Sequence, residues 1–443
     1  MQIHLSDHFT YSKLLRFTAP SVTTMVFLSI YGMIDGLFVS NCAGEAPFAA
    51  VNLIFPFLML LGSFGALLGT GGSAIVSILL GEGEAERANR CFSMFIEVAV
   101  ALGLLFAVAG WFAMPLVSRL LGAEGEVLEY CVIYGRILCW SSVPFLLQNV
   151  MQTYFVAAEK PNLGLLVSVA AGCANILFDW LLVAVFPLGI YGAAAATAIS
   201  QTVGGFLSLA WFLRPQGGLL RLSPAPVDFP LLLRACVNGS SEMVTNLSLS
   251  LVNMLYNLRL MQMAGDAGVA AYGVVMYVNF IFISAFIGYS FGSAPLFGYH
   301  YGAQNDAELQ SLFRKSHVLL LATGTAMTAL ALAASGWLSQ IFVGYNAALF
   351  AMTRRAFRLY SCAFLLMGFN IFASGFFTAL GNGPVSAALS FSRLLLFQVV
   401  CVAVLPELLG LDGVWLSNLA AEGLSLACSY LAVVALRSRY RYL

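Results

Sequence analysis

Two aspartates, Asp35 and Asp179, stand inside long apolar runs of the sequence, IYGMIDGLFV and CANILFDWLLVAVF. A helix that crosses a bilayer would hold both carboxylates far from either water surface. A carboxylate at the bilayer centre costs roughly 2.5 to 3.5 kcal/mol on insertion scales, so such a residue usually faces a cavity, a proton path or an ion. The two acids are therefore the first candidates for chemistry in this chain.

Amide and hydroxyl side chains accompany these acids at helical spacing. Asn175 precedes Asp179 by four residues, so both side chains lie on one face of a helix and can contact one ion. In the first apolar run, Thr24, Tyr31 and Asp35 are separated by seven and then four residues and also form one polar stripe. The sequence thus predicts two polar helix faces that carry one acid each.

The predicted oxygen set suits either of two small cations. A hard cation such as Na⁺ prefers carboxylate, amide and hydroxyl oxygens, whereas a carboxyl group withdrawn from water can bind and release a proton near neutral pH. The residues alone do not distinguish the two. The structural alternative is that each acid caps a helix break or satisfies a buried amide, and Gly32 and Gly36 would permit a kink beside Asp35.

The composition excludes a water-soluble globular protein. Of 443 residues, 60% are hydrophobic and 9% are charged, and the mean hydropathy is +0.90. A membrane span needs about 20 mostly apolar residues, and twelve segments qualify. Their centres lie near residues 27, 65, 104, 142, 175, 202, 247, 285, 327, 366, 396 and 424. We therefore predict an all-α integral membrane protein with twelve transmembrane helices.

Basic residues predict the orientation of these helices. Thirteen of the 20 Lys and Arg fall at the chain termini or in the connections from even-numbered to odd-numbered spans, and four fall in the opposite connections. The other three, Arg136, Arg259 and Arg393, lie within spans. By the positive-inside rule, both termini are expected to be cytoplasmic. For Arg393 we predict an ion pair with Glu422 on the last span.

The sequence is internally duplicated. GEAPFAAV from Gly44 matches GDAGVAAY from Gly265 at an offset of 221 residues, and the stretch from Gly72 matches the stretch from Gly292 in the same order. A polar interruption rich in Pro and Gly, at 214–230, separates the copies. We predict an N-terminal six-helix bundle at 1–218 and a C-terminal one at 219–443.

Duplicated bundles of six helices around a central cavity are typical of transporters that rock two halves about one site. The order of several motifs strengthens this interpretation. TAPSVTTMVFLSIYGMIDGLFVS, GSAIVSILLGEGEAERANR and EKPNLGLLVSVAAGCANILFDWLL in the first half precede YHYGAQN and ALGNGPVSAALSFSRLLLF in the second. Over about residues 10 to 435 the chain resembles the multidrug and toxic compound extrusion (MATE) family, in its bacterial branch with a cation site in the N-terminal half.

The resemblance implies a larger coupling site in the first bundle. Similar transporters combine an acid on the first span, an Asn and an acid on the fifth, a Thr on the sixth, and a Tyr and an Asn on the fourth. The matching positions here are Asp35, Asn175, Asp179, Thr197, Tyr134 and Asn149. Any Na⁺ is expected at Asp35, Asn175, Asp179 and Thr197. The second half has no copy of the acid pair, because Asp35 projects onto Tyr256 and Asp179 onto Val402.

Further residues are candidates for a cargo cavity. They are Tyr31, Met25, Asn253, Tyr256, Asn257 and Glu242. Glu242 resembles an acid that some relatives use for sodium, although its polar neighbours also fit a hydrated helix start. The polar face of the seventh span, at Asn253, Tyr256 and Asn257, fits hydrogen bonding between helices equally well.

These observations favour a secondary antiporter that exports amphipathic, often cationic, organic compounds in exchange for H⁺ or Na⁺. We expect no cofactor besides the coupling ion, no nucleic-acid or obligatory protein partner, a monomer, and the inner membrane of a prokaryote. A Walker-type phosphate loop is absent from the sequence. The alternatives are a lipid-linked saccharide flippase with the same two-bundle plan, and a membrane-embedded enzyme, for which no nucleophile and base group together at span depth.

Overall fold

A computed structural model describes residues 3–214, 219–224 and 226–442, and within them the chain is helical, without a strand. Twelve spans follow in the described residues when each bend or break between helices is taken into account. They are α1 (Tyr11–Ala43), α2 (Glu45–Gly81), α3 (Ala85–Leu120), α4 (Gly125–Trp140 and Ser142–Ala157), α5 (Pro161–Val185), α6 (Gly189–Leu213), α7 and α8 (together Phe229–Gly302), α9 (Asp306–Val343), α10 (Ala347–Ala379), α11 (Gly383–Leu409) and α12 (Leu411–Tyr440). The predicted fold class and span positions are confirmed. The predicted boundary at residue 218 lies outside the described residues and stays a prediction.

The break between α7 and α8 is a single glycine. Gly265 has φ 59° and ψ −152° inside an otherwise helical run, so α7 covers 229–264 and α8 covers 266–302. Gly44, its match in the duplication, separates α1 from α2 with φ 104°. Residues with a β-carbon rarely adopt such positive φ angles. The motif that revealed the duplication therefore encodes the same tight turn between helices in both bundles.

Helix α4 is bent by 60° at Ser141. Pro144 follows within the first turn of its second half, and a proline removes one backbone donor and sterically clashes with the preceding turn. The sequence predicted one span centred near residue 142, without this bend. Because of the bend, Tyr134 in the first half and Asn149 in the second half lie on helix segments with different axes.

The two bundles meet along α2 and α8 in backbone contact. A β-carbon on Gly81 would lie 2.0 Å from the carbonyl oxygen of Tyr299, and one on Gly302 would lie 2.1 Å from that of Ile78. Since 78 and 81 match 299 and 302 at the duplication offset, these contacts are related by pseudo-symmetry. Only glycine permits this approach, so Gly81 and Gly302 determine where the two bundles pack against each other.

Both ends of the described chain lie on one side of the molecule, which we call the termini side. His8 contacts Glu308 at 2.5 Å, and Arg441 contacts Asp306 at 3.5 Å, both at the start of α9. The close glycine contacts of α2 and α8 belong to this side, because α8 ends at Gly302 just before α9 begins. An even number of spans is therefore confirmed, while the cytoplasmic location of this side stays a prediction.

Candidate functional site

Each predicted acid lies beside a π-helical turn. In α1 the turn covers Val39–Ala43, and the backbone N–H of Val39 bonds to the carbonyl of Asp35. In α5 the turn covers Trp180–Val185 and starts directly after Asp179. Such turns interrupt the regular helix and occur often at functional sites. The sequence pattern predicted neither π-helical turn, because a uniform helical period does not show where an extra residue enters a turn.

The acids converge in the first bundle. Asp35 faces both Asn175 and Asp179, and no hydrogen bond joins these side chains among the described residues. Tyr134 of α4 approaches Thr197 of α6 and faces both carboxylates. Asp179 is 0% exposed, and Asn175 and Tyr134 are also buried. Five of the six predicted coupling residues thus form one cluster; their role in coupling stays a prediction.

The oxygens of this cluster lack hydrogen-bond donors. Oδ1 of Asp35, Oδ1 of Asn175 and both carboxylate oxygens of Asp179 are buried without a hydrogen-bond partner among the described residues. Buried polar atoms are normally paired, because an unpaired one loses its interaction with water without replacement. All four atoms are acceptors. A shared proton or a small cation would satisfy them, so the residues present fit either coupling ion.

Aromatic side chains of α1 pack closely against Gly172 of α5. A β-carbon there would lie 2.4 Å from Cε1 of Phe27 and 3.3 Å from Cδ1 of Tyr31, both on α1. A larger residue at position 172 would require the Phe27 ring to move. Gly172 was missed in the sequence analysis, although its position seven residues before Asp179 places it on the same helix face.

The sixth predicted coupling residue, Asn149, lies apart from the cluster in its described contacts. Its side-chain amide donates to the carbonyl of Phe145 at 2.9 Å. Its β-carbon packs against Gly65 of α2, where an added methyl would approach to 2.8 Å. No described contact joins it to the two acids, and its assignment stays a prediction. Thr197 donates to the carbonyl of Ala193 at 3.1 Å while it faces Tyr134.

Two cavities lie near the contact between the bundles. The first is lined by Met25, Ser21 and Thr24 of α1 and Gln152 of α4, and of the second bundle only Phe291 of α8 lines it. Glu242 of α7 lines the second, which is otherwise formed by hydroxyl and small side chains of both bundles. These are Thr70, Ser73, Ala74, Thr153, Ser290, Ala294, Gly375, Thr378 and Ala379, together with Phe291. Glu242 thus lies at the interface between the bundles, whereas Met25 lines a cavity of the first bundle that α8 borders.

The polar face of α7 is used partly inside the second bundle. The Tyr256 hydroxyl donates to Oε1 of Gln398 at 3.0 Å, and the Tyr272 hydroxyl donates to Oδ1 of Asn253 at 2.9 Å. Asn257 is exposed. Hydrogen bonding within the bundle therefore accounts for Tyr256 and Asn253, and a cargo role for any of the three stays a prediction.

The second bundle carries a neutral counterpart of the acid cluster. Tyr256 occupies the position of Asp35 at offset 221, and Gln398 that of Asn175 at offset 223. Gln398 accepts from Tyr256 and donates to Oδ1 of Asn418 at 2.6 Å. Neutral groups that hydrogen-bond to one another need no ion. The pseudo-symmetry of the fold therefore does not extend to the charge of the two sites.

The buried charge of the second bundle is paired within the protein. Nη2 and Nε of Arg393 both lie 2.9 Å from Oε1 of Glu422. Asn370 also donates to the Glu422 carboxylate, at 2.6 Å. The ion pair predicted from the sequence is confirmed. A third π-helical turn, Ser392–Phe397, contains Arg393.

Comparison with known proteins assigns the chain to a family. The MatE family model matches residues 20–181 and again 243–404, so each bundle carries one copy. The multidrug export protein MepA of Staphylococcus saprophyticus is 24% identical over 433 residues, which cover 97% of this chain and 94% of that protein. MepA of Staphylococcus haemolyticus is also 24% identical, over 444 residues with the same coverage.

A solved structure shares the fold. A multidrug resistance MATE family transporter in an outward-facing conformation superposes with a TM-score of 0.92 at 22% identity, over 98% of both chains. Together with the two family-model matches, which cover most of the sequence, this similarity extends across both bundles. The chain therefore belongs to the MatE family, the multidrug and toxic compound extrusion transporters.

Proposed function

We propose that this protein is a secondary antiporter that exports amphipathic or cationic organic compounds in exchange for H⁺ or Na⁺. The observation that carries the proposal is the cluster of four buried acceptor atoms on Asp35, Asn175 and Asp179, which no described donor satisfies. A structural role would provide donors, as the Arg393–Glu422 pair does. An ion-exchange site instead needs the donor or cation to come and go.

Coupling follows from the repulsion between two adjacent carboxylates. With a proton or Na⁺ bound, Asp35 and Asp179 share one positive charge, and α1 packs closely on α5. Without it, like charges a short distance apart repel each other, and arrangements that separate them gain in population. An ion therefore favours one arrangement of the bundles, and cargo favours the other.

Rocking of the two bundles would convert this competition into transport. The glycine contacts of α2 and α8 close the termini side, the cavity lined by Glu242 lies on the same interface, and the cavity lined by Met25 borders it at Phe291. Separation along this interface would expose the cavities to the termini side. With that side cytoplasmic, as the basic residues predict, the protein would take up cargo from the cytoplasm and export it.

Multidrug export is the cargo class that the relatives support. The two MepA proteins are named multidrug export proteins and match nearly the full chain. We infer organic small molecules as cargo, the inner membrane of a prokaryote as the location, and a monomer as the working unit. No cofactor besides the coupling ion enters the proposal.

A lipid-linked saccharide flippase is less consistent with the arginines. Recognition of a pyrophosphate calls for basic side chains that are free to line the cavity. All three arginines within spans are engaged elsewhere: Arg393 with Glu422, Arg259 with Glu407 at 3.3 Å, and Arg136 with the Trp111 carbonyl at 3.0 Å. The acid cluster also has the wrong sign for such a substrate.

Transport in proteoliposomes tests this function. The purified protein is reconstituted, and uptake of a fluorescent organic cation is followed under an imposed pH gradient, an imposed Na⁺ gradient, or neither. We expect one gradient to drive accumulation above the level without a gradient, and the effective gradient identifies the ion. Equal uptake under all three conditions would contradict the antiporter proposal.

A further inference from the structure

The segment before α1, residues 3–10, crosses the termini side and contacts both bundles. We call it the strap. Two of its residues, Leu5 and Phe9, are 0% exposed although the segment lies at the surface. They belong to one apolar cluster with Val156 of α4 in the first bundle and Leu309 of α9 in the second. The strap is therefore packed across the place where the two bundles meet.

Two glutamates hold the strap in the same way. Oε2 of Glu159 lies 2.8 Å from Nδ1 of His4, and its Oε1 accepts the backbone N–H of Leu5 at 2.6 Å. Four residues further along the strap, the pattern repeats. Oε2 of Glu308 lies 2.5 Å from Nδ1 of His8, and its Oε1 accepts the backbone N–H of Phe9 at 2.8 Å.

The two glutamates belong to different bundles. Glu159 lies between α4 and α5 of the first bundle, and Glu308 lies in the first turn of α9 in the second. Both carboxylates are nearly buried by the strap, with side chains 9% and 8% exposed. Hydrogen bonds to a charged acceptor are stronger than neutral ones. The strap therefore forms a bridge, attached to the first bundle by Glu159 and by its continuation into α1, and to the second by Glu308.

Additional contacts strengthen the attachment to the second bundle. The Phe9 ring meets His300 of α8 edge-on at 6.5 Å, and Lys315 of α9 donates to the Phe9 carbonyl. When the bundles separate, the covalent link to α1 keeps the strap on the first bundle. The strap's contacts with Glu308, Lys315 and His300 are thus the ones that have to break.

The backbone at Glu159 supports a dedicated role. Glu159 has φ 61°, a left-handed conformation that residues with a β-carbon rarely adopt. At the matching turn of the second bundle the chain uses a glycine, Gly381, with φ 74°. A carboxylate is therefore retained at a position where the repeat has glycine, at some cost in backbone strain.

We propose that the strap is a latch that stabilises the arrangement in which the termini side is closed. Its contact with Glu308 breaks when the bundles separate, whereas its contact with Glu159 keeps its N-terminal end in place. This inference rests on the rocking motion proposed above, but not on the identity of the ion or the cargo. Removing Glu308 eliminates charge-assisted hydrogen bonds that exist only in the closed arrangement. The population with the termini side open should therefore rise when Glu308 is removed.

Distances between spin labels measure that population directly. Labels are placed on each bundle with Arg90→Cys and Arg314→Cys, both exposed positions, after the nine native cysteines are replaced by alanine. Double electron–electron resonance in lipid nanodiscs then gives the share of short and long distances. For Glu308→Ala we expect the ratio of long to short distances to rise about tenfold, since one charge-assisted hydrogen bond is worth enough for that change.

Three further variants and one control check that the result does not come from misfolding. His8→Ala removes only an exposed ring and should raise the ratio less than Glu308→Ala, because the backbone N–H of Phe9 remains bound. Combined with Glu308→Ala it should add nothing. Glu159→Gly introduces the residue of the repeat and should raise the ratio modestly. The control, Glu86→Ala, changes an exposed acid in the first turn of α3 and should leave the ratio unchanged.

The outcomes separate this proposal from the proposed function. Unchanged ratios in both Glu308→Ala and His8→Ala would overturn the latch while leaving antiport intact. A single distance in every variant, with and without added cargo, would overturn the rocking motion and the latch with it.

Discussion

Replacing Asp179 with asparagine should abolish ion-driven export. The substitution keeps the shape of the side chain but removes both its charge and its ability to exchange a proton. Asp35 then has no second carboxylate with which to share an ion. In proteoliposomes with the effective gradient imposed, we expect accumulation of the fluorescent cation to fall to the level measured without a gradient.

Folding should survive this change. Two buried carboxylates without donors oppose folding, because each gives up its interaction with water. Asp179→Asn removes one of them and supplies an amide donor for Asp35. We therefore expect the melting temperature to be unchanged or higher, as is common when a functional but strained site is relieved. The matched control is Asp266→Asn, which alters an exposed acid at the turn into α8 and should transport at the wild-type rate. Gradient-driven accumulation in Asp179→Asn at that same rate would remove Asp179 from the coupling site.

Removing Arg393 should have the largest effect on stability. In Arg393→Met, Glu422 remains buried at 1% exposure without its charge partner. Breaking a buried ion pair from one side typically costs about 3 to 5 kcal/mol. We expect thermal unfolding in detergent to report a loss of this order.

A second substitution should recover most of that loss. In Arg393→Met with Glu422→Gln, the buried charge is gone, and the amide oxygen can still accept the hydrogen bond from Asn370. The comparison is Arg136→Met, another arginine within a span, whose guanidinium donates to the Trp111 carbonyl and lies 5.0 Å from the Trp111 ring. That change should cost only about 1 kcal/mol. Equal losses of stability in Arg393→Met and Arg136→Met would contradict a larger energetic cost of leaving Glu422 unpaired.

The spans and the two acids could be predicted because both follow from the residue types within each apolar run. A run of about 20 apolar residues has few alternatives to a transmembrane helix, and a carboxylate within such a run is costly wherever it lies. The duplication predicted two similar bundles, and Gly44 and Gly265 of the matched motifs lie at equivalent turns with positive φ angles. For these features, local pattern and three-dimensional placement agree.

Features that depend on departures from regular geometry were not predictable in the same way. The π-helical turns after Asp35 and Asp179 and the bend at Ser141 change which residues share a helix face. Asn149 illustrates the consequence. It was assigned to the coupling site by resemblance, but it follows the bend, and its described contacts are with α2 and its own helix.

The contacts of the strap could not be predicted from the sequence for a different reason. Residues 3–10 are too short and too polar to form a periodic pattern, so nothing in their order indicates that Leu5 and Phe9 are buried. Their partners Glu159 and Glu308 are more than 150 residues away in sequence. Contacts of this kind are created by the packing of the two bundles and become visible only in the structure.

The two bundles differ in how each compensates its buried charge. The second carries its own cation, Arg393, beside Glu422, and neutral hydrogen bonds at Tyr256 and Gln398. The first places Asp35 and Asp179 together with no basic side chain described beside them. A mobile ion would thus do in the first bundle what a fixed guanidinium does in the second. Duplication followed by loss of symmetry at these positions would leave one exchangeable site in a two-bundle fold.

Displacement of the ion by cargo is the most direct measurement of this account. Purified protein in lipid nanodiscs is mixed with a fluorescent organic cation, and released protons and released ²²Na⁺ are counted against cargo bound. We predict that each bound cargo displaces on the order of one H⁺ or Na⁺, as competition for one site requires, and that Asp179→Asn displaces neither. Cargo binding that leaves both ions undisturbed in the wild-type protein would contradict the claim that the Asp35–Asp179 cluster exchanges an ion for cargo.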